Sequence, residues 1–368
     1  MGFRILATDA STGARVGELQ TPHGKVITPA YMPVGTKGVV KTLSPLQLKQ
    51  IGVQMILCNT YHLTLVPGEG VISLAGGLHS WMGWQGPILT DSGGYQIFSL
   101  ARLRRVAEEG VSFQSHIDGK PLLLTPEKVI SIQQEIGSDI MMPLDHPAPF
   151  PSAKSVARDA MLRTGRWLKR SLQMGDRDHG LLFAIVQGGV YEDLRRDSIE
   201  ISKEFGPAGF AIGGLSMGES KQIMQEITEL CGALLPRDSP RYLMGVGTPS
   251  DIVRAVAAGM DIFDCILPTR LGRNGWAFIP GGIIKLKNHA YKTDLRPLEE
   301  DCPCYTCRNF TRSYLRHLYV IQDVLALSLI SLHNTSYYQR LMQDIRSSIL
   351  EGRFGEFFKR FKDTHEVV

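Results

Sequence analysis

From Ala30 onward the chain repeats one pattern. A short apolar run gives way to Gly, Asp, Thr or Gln, and then to a segment whose apolar positions recur at three and four. Eight such pulses follow one another: AYMPVGTKG, QMILCNTYH, PILTDSGGY, DIMMPLDHP, LFAIVQGGV, FAIGGLSMG, YLMGVGTPS and IFDCILPTR. The short runs predict buried strands, and segments such as SPLQLKQIG, TPEKVISIQQEIG and SKQIMQEITELCGALLP predict helices. Ser44-Pro45, Thr125-Pro126 and Thr248-Pro249 each place a capping hydroxyl before a proline, the signature of a helix start. Strand alternating with helix predicts an α/β protein with a parallel sheet. Eight repeats over roughly 240 residues fit a (β/α)8 TIM barrel, for which about 250 is typical. A doubly wound sheet would ask for a G-x-G-x-x-G loop after an early strand, and none occurs there.

Two stretches fall outside the rhythm. Residues 1–30 read as a small N-terminal β cap, with strand candidates at Phe3–Ile5, Arg15–Leu19 and Val26–Ile27. Residues 97–124 interrupt the third unit with a hairpin-like insertion around Asp118-Gly119. After Leu286 the rhythm stops. The expected organisation is therefore a cap (1–30), a barrel (31–286) and a helical C-terminal subdomain (287–368) packed directly on the barrel.

Composition narrows the class without deciding it. Of 368 residues, 43% are hydrophobic and 21% charged, as in ordinary globular proteins. No apolar run approaches the ~18 residues of a membrane span, and the N-terminus MGFRILATDASTG lacks a secretory core, so a cytoplasmic protein is expected. The net charge of +4 is weak evidence for a polyanionic partner. Its distribution says more. Between Cys265 and Thr293 there is no acidic residue, while Arg270, Arg273, Lys285, Lys287 and Lys292 fall there. A solvated loop and a polyanion contact both fit such a strip.

Of six cysteines, Cys58, Cys231 and Cys265 sit singly in apolar stretches and read as core thiols. Cys302, Cys304 and Cys307 are packed into six residues, which points to zinc with a fourth ligand downstream. His317 and His333 compete for that place. If the segment YLRHLYVIQDVLALSLISLHN is one helix, they lie on nearly opposite faces and only one can face the ion. His333, beside Asn334 at the end of the apolar run, is preferred as the residue at an element terminus. A closed Cys3His set leaves no open position, so the expected zinc is structural, one ion per subunit.

In a barrel, working residues sit at the C-terminal ends of the strands. Those positions hold Asp91-Ser92-Gly93-Gly94, Asp145, Gln187-Gly188-Gly189, Gly213-Gly214, Gly245-Val246-Gly247 and Asp264. Singly, each fits a turn or a cap. Their recurrence at one level predicts a mouth lined by carboxylates and amides. The chain shows no P-loop, no evident Ser-His-Asp set and no histidine-metal cluster of barrel hydrolases, since His62 and His146 alone fall near strand ends. Paired carboxylates suit displacement at an anomeric carbon.

The motifs ILTDSGGYQIFSL, AIVQGG, AIGGLSMGE, YLMGVGTP, DCILPTRLGRNG and CPCYTC with its later LHN resemble, in order and over essentially the whole chain, the tRNA-guanine transglycosylase (queuine tRNA-ribosyltransferase) family of bacterial type. The resemblance implies a zinc-bearing barrel that replaces guanine at the anticodon wobble position of G-U-N tRNAs by a free 7-deazaguanine base, in queuosine modification. By the same resemblance, Asp264 is the nucleophile at C1′ and Asp91 the general acid/base. Asp91, Ser92, Gly93, Gly94, Tyr95, Asp145, Gln187, Gly214 and Leu215 form the base site, with Tyr95 stacking on the base. Gly245, Val246, Gly247, Thr248, Pro249, Ser250 and Asp251, with Thr269, Arg270, Leu271, Gly272 and Arg273, contact RNA. Cys302, Cys304, Cys307 and His333 ligate zinc, and the family commonly forms homodimers.

One stretch departs from the family pattern. Bacterial relatives usually follow the base-reading aspartate with Glu-Cys-Thr; here His146-Pro147-Ala148 stand, and Met217 replaces a small residue. Leu215 and Glu219 remain, which favours 7-aminomethyl-7-deazaguanine as incoming base, with queuine the alternative. A non-catalytic tRNA-binding partner subunit would be expected to lose Asp264 or Asp91; both stand in their motifs.

Overall fold

The computed structural model describes residues 2–100, 104–174 and 180–365. Its centre is the expected barrel. Strands β4 (Ala30–Pro33), β5 (Ile56–Asn59) and β6 (Ile88–Asp91) are followed by three inserted strands, β7 (Arg104–Val106), β8 (Val111–Gln114) and β9 (Pro121–Leu124). The barrel resumes with β10 (Ile140–Met141), β11 (Leu181–Val186), β12 (Gly209–Ile212), β13 (Arg241–Leu243) and β14 (Ile262–Cys265). The eight barrel strands are parallel in the order β4-β14-β13-β12-β11-β10-β6-β5. The ring closes through a parallel bridge between Val34 and Leu57, where Gly35 N donates to Leu57 O at 2.6 Å. Each barrel strand coincides, to within one residue, with one of the eight apolar runs. Strand β11, LLFAIV, is buried at every position because one face meets the interior and the other the helices.

The helix starts are held as their sequences imply. Ser44 forms a reciprocal capping box with Gln47, Thr125 accepts from Lys128 N, and Thr248 accepts from Asp251 N, each with proline in the first turn. Each cap contributes about 1 kcal/mol.

The first strands, β1 (Gly2–Thr8), β2 (Arg15–Thr21) and β3 (Gly24–Thr28), form an antiparallel sheet at the N-terminal end of the barrel. Leu19 and Val26 enter the same apolar cluster as Met32, Leu57, Phe183 and Ile262 of the interior. Two buried carboxylates fasten this sheet. Arg15 donates through Nε to Asp261 Oδ1 (3.0 Å) and through Nη2 to Oδ2 (2.6 Å), just before β14. Asp139, just before β10, is bonded to His23 Nδ1 (2.9 Å) and His79 Nε2 (3.0 Å). The two imidazoles stack at 3.5 Å and use different carboxylate oxygens, so one carboxylate clamps both rings.

The insertion contains the expected turn at Asp118-Gly119 between β8 and β9, and a third strand, β7, pairs with β8. Arg104-Arg105-Val106 is too charged to announce itself as a strand. Residues 101–103 of that stretch lie outside the described residues.

After the barrel, the hairpin of β15 (Trp276–Ile279) and β16 (Gly282–Lys285) packs with Leu298, Leu315, Leu318 and the three clustered cysteines. One expectation needs correction. The segment carrying His317 and His333 is not one helix. It breaks between the helices Arg312–Val320 and Val324–Leu350, where Gln322 takes φ 60° and Asp323 caps the second helix by accepting from Leu325 N. His333 therefore lies within a 27-residue helix, not at its end. No helix among the described residues is long and apolar enough to cross a membrane.

Candidate active site and metal centre

The C-terminal strand ends surround a cavity of about 640 Å³, lined by Asp91, Asp145, Gly214, Tyr242 and Asp264 among others. Asp264 is the third residue of β14, half-buried at the cavity wall. Its Oδ1 accepts from the Tyr242 hydroxyl (2.6 Å) and from Gly245 N (2.7 Å). Among the described residues Oδ2 accepts no hydrogen bond, which leaves one carboxylate oxygen facing the cavity unencumbered. Desolvation raises the proton affinity of Asp264, against the pull of those two donors.

Asp91 ends β6 and is buried. Its Oδ2 accepts from Asn59 Nδ2 and from Gln96 Nε2 (2.9 Å), and Oδ1 from Thr60 N (3.2 Å). Burial nevertheless pushes this carboxyl up to about 7, with the charge of Asp264 adding to the effect. One carboxylate thus presents a free oxygen, while the other is poised to gain or lose a proton near neutrality. That division suits acid/base work alongside a nucleophile.

A third carboxylate is tied to an amide. Gln187 Nε2 donates to Asp145 Oδ2 at 2.7 Å, and Ser92 Oγ lies 3.4 Å from Oδ1. Burial raises Asp145 to about 6. Gln187 Oε1 is buried and has no partner among the described residues, an acceptor available to a ligand donor. Two glycines make this packing possible. A Cβ on Gly94 would stand 2.4 Å from Asp145 Oδ1, and one on Gly214 (φ +66°) 2.4 Å from Gln187 Oε1.

Ser92, Gly93, Gly94, Tyr95 and Leu215 all line the cavity, Tyr95 as an exposed ring at its rim. Beyond Leu215, Ser216 takes φ 60°, and the Glu219 carboxylate accepts from both Ser216 N and Met217 N. His146 is not part of the cavity lining, whereas Pro147 is. Its ring stacks on Phe98 and accepts from Arg163 at Nδ1 (3.0 Å), and burial holds it down to about 4.

The segments expected to meet RNA divide. Gly245, Val246, Gly247, Thr248, Asp251 and Arg270 line the cavity; Pro249, Ser250, Thr269, Leu271, Gly272 and Arg273 do not. Thr269 and Gly272 pack on the helix Val324–Leu350, where a Cβ on Gly272 would stand 2.5 Å from Ser331 Oγ. Sequence reasoning missed Asn59, Gln96 and Tyr242. Asn59 carried a signal: it ends an apolar run at the same level as Asp91, its neighbour in register. Tyr242, inside a strand, carried none.

Cys302, Cys304, Cys307 and His333 are buried together, their ligand atoms all within 4.8 Å of one another. The three sulfurs lie 3.7, 3.7 and 3.3 Å from His333 Nδ1. A tetrahedral ion with ordinary metal–sulfur and metal–nitrogen bonds separates S and N ligands by ~3.6 Å. His333 Nε2 bonds the Phe278 carbonyl at 2.6 Å, which fixes the ring and turns the Nδ1 lone pair toward the thiols. The group is able to hold a metal ion. His317 is exposed on another helix and has no part in it.

A (β/α)8 barrel with paired carboxylates and an amide-lined cavity holds the groups that displacement at an anomeric carbon requires. Comparison with known proteins places it further. The family model described as queuine tRNA-ribosyltransferase matches residues 9–367, and the chain belongs to that family. A queuine tRNA-ribosyltransferase of Dictyoglomus turgidum is 50% identical over 364 residues, 98% of this chain and 94% of the relative. Those of Pelotomaculum thermopropionicum and Listeria innocua are 50% and 47% identical over 357 and 363 residues, covering 97% and 98% of this chain and 96% and 95% of theirs.

Proposed function

We propose that the chain exchanges guanine at the wobble position of G-U-N tRNAs for a 7-deazaguanine base, in queuosine synthesis, through a covalent ribosyl–aspartate intermediate. Family membership supports a tRNA-guanine transglycosylase. The observation that carries the mechanism is the pairing, in one cavity, of Asp264 with its free Oδ2 and Asp91 with its near-neutral proton affinity. Asp264 Oδ2 attacks C1′ of an extruded nucleotide as the bond from C1′ to the guanine nitrogen breaks, and Asp91 gives its proton to the departing base. The incoming base then returns a proton to Asp91 and attacks C1′ from the face the guanine left, releasing Asp264. Two inversions restore the original anomer, and the ester preserves the energy of the glycosidic bond. Asp145, Gln187 and the Gly214 backbone read the base edge, Tyr95 stacks on it, and the segments Gly245–Asp251 and Thr269–Arg273 hold the anticodon strand.

The favoured incoming base is 7-aminomethyl-7-deazaguanine. Glu219 holds the Ser216 N–H, so the carbonyl of the same trans peptide, that of Leu215, points away from Glu219. Leu215 lines the cavity, and a carbonyl there would receive an ammonium group. Queuine as the incoming base is the second reading, favoured by the altered residues Pro147 and Met217 in the same wall. The metal is a structural zinc, one per subunit, supported by the donor set of three thiols and one imidazole. It would brace the C-terminal subdomain and supplies no step of the exchange. The active form is a homodimer in the cytoplasm; exposed Tyr314, Val320, Ile321 and Val324 would be covered by a second copy.

The test uses tRNA carrying labelled guanine at the wobble position. Label should leave on addition of 7-aminomethyl-7-deazaguanine with the native protein and not with Asp264→Ala. Faster release with queuine would reverse the base assignment. No release with either base would replace the catalytic reading by that of a tRNA-binding partner subunit.

A further inference from the structure

Arg195 lies on the helix Glu192–Glu204 and is wholly buried. A guanidinium so placed normally meets a carboxylate. This one meets carbonyls instead. Its Nε donates to Gly189 O at 2.8 Å, and Nη1 donates to Val186 O at 2.8 Å and to Gly213 O at 2.9 Å. All three acceptors sit at the ends of β11 and β12, the turns that carry Gln187 and Gly214 into the cavity.

Peptide geometry turns these bonds into aim. Gly213 C=O and Gly214 N–H belong to one trans peptide and point in opposite directions. Fixing the carbonyl on Arg195 therefore directs the Gly214 N–H away from the guanidinium, on the side where Gly214 lines the cavity. The peptide carrying Gln187 is held at both ends by the same helix. Its carbonyl, that of Val186, takes Arg195, and its N–H donates to Ser198 Oγ at 3.1 Å. Gln187 Oε1 then stands unpartnered against Gly214.

Among the described residues no carboxylate touches this cation, and the charge of Glu219 acts on it only from a distance. Such burial is costly, and an apolar side chain of similar size would fill the space without that cost. Space-filling alone does not account for the guanidinium. We propose that Arg195 is a positioning residue for base selection: it sets the spacing and direction of the two turns so that Gln187 Oε1 and Gly214 N–H meet one base edge together. The inference rests on the base-exchange reading above and adds a residue that touches neither base nor RNA.

The experiment compares Arg195→Met, Arg195→Lys and Ser198→Ala with the native full-length protein. It measures guanine and hypoxanthine binding by calorimetry without tRNA, KM for tRNA and for the free base, and thermal melting. Arg195→Met should weaken guanine binding about tenfold and narrow the guanine-to-hypoxanthine ratio, because a loosened edge reader loses discrimination first. Its KM for tRNA should stay within about twofold, and Arg195→Lys should fall between Met and native. A folded Arg195→Met with unchanged guanine affinity and ratio would overturn the proposal, as would equal losses toward tRNA and base. Should Arg195→Met fail to fold, Arg195→Lys and Ser198→Ala decide by the same two ratios. Absence of label release by the native protein would strike the exchange reading instead, while the calorimetric ratio still reports on Arg195.

Discussion

Replacing Asp91 by asparagine should inactivate the protein and stabilise it. In the unfolded chain this carboxyl ionises near 3.8, whereas in the fold burial lifts it to about 7. A carboxyl raised in this way favours the folded state fully below pH ~4 and loses that contribution as pH climbs toward 7. At 1.36 kcal/mol per unit, the three-unit separation means that ionised Asp91 costs about 4 kcal/mol at pH 8. At pH 5 the folded form is still protonated and the unfolded form is not, which leaves about 1.6 kcal/mol. Asparagine imitates the neutral carboxyl, and the Asn59 and Gln96 amides are able to turn and present oxygens to it. Chemical denaturation of native and Asp91→Asn protein should therefore show the variant ahead by about 4 kcal/mol at pH 8, shrinking to less than half of that at pH 5. A variant less stable than native at pH 8, or a gap independent of pH, would refute the argument that burial of the charge dominates.

Other expectations follow from separate parts of the molecule. Tyr242→Phe removes a donor that favours ionised Asp264, so the pH-rate midpoint governed by that carboxyl should rise and the exchange rate fall by ten- to a hundredfold, read from a pH profile of label release. Asp261→Ala strands buried Arg15 and should cost 3–5 kcal/mol by roughly the usual measure for a broken buried pair, while Arg15→Met with Asp261→Leu together should cost less, both by denaturant melts. Chelation should lower the melting temperature, with proteolysis beginning between residues 276 and 320, because the thiols sit inside that subdomain's apolar cluster. Unchanged melting after verified metal loss would contradict it.

The barrel was legible because its strands are buried on both faces, so each appears as an unbroken apolar run. The strand-end carboxylates stood out against those runs. Four things did not show. Strand β7 is charged and exposed, and owes its pairing to β8 rather than to its own composition. Tyr242 looks like any core aromatic; only its hydroxyl, aimed at Asp264, distinguishes it. His333 faces the thiols from inside a helix and not from its end, because the chain breaks twelve residues earlier, at Ile321, a break that the apolar run YLRHLYVIQDVLALSLISLHN does not announce. Arg195 was equally silent, because an arginine near a helix start ordinarily faces water.

The packed barrel interior, with Leu19 and Val26 of the three-stranded sheet among its side chains, makes the cavity at the strand ends a blind well. In the proposed exchange an anticodon loop covers the top, and the well has no drain at the bottom. The spent base and its replacement must therefore pass through the same gap between RNA and rim, one after the other, and neither is able to push the other through. During that interval the RNA has surrendered its base and part of its grip. The bond to Asp264 then serves as a mooring line: it lets the rim slacken enough for traffic without letting the polynucleotide drift away.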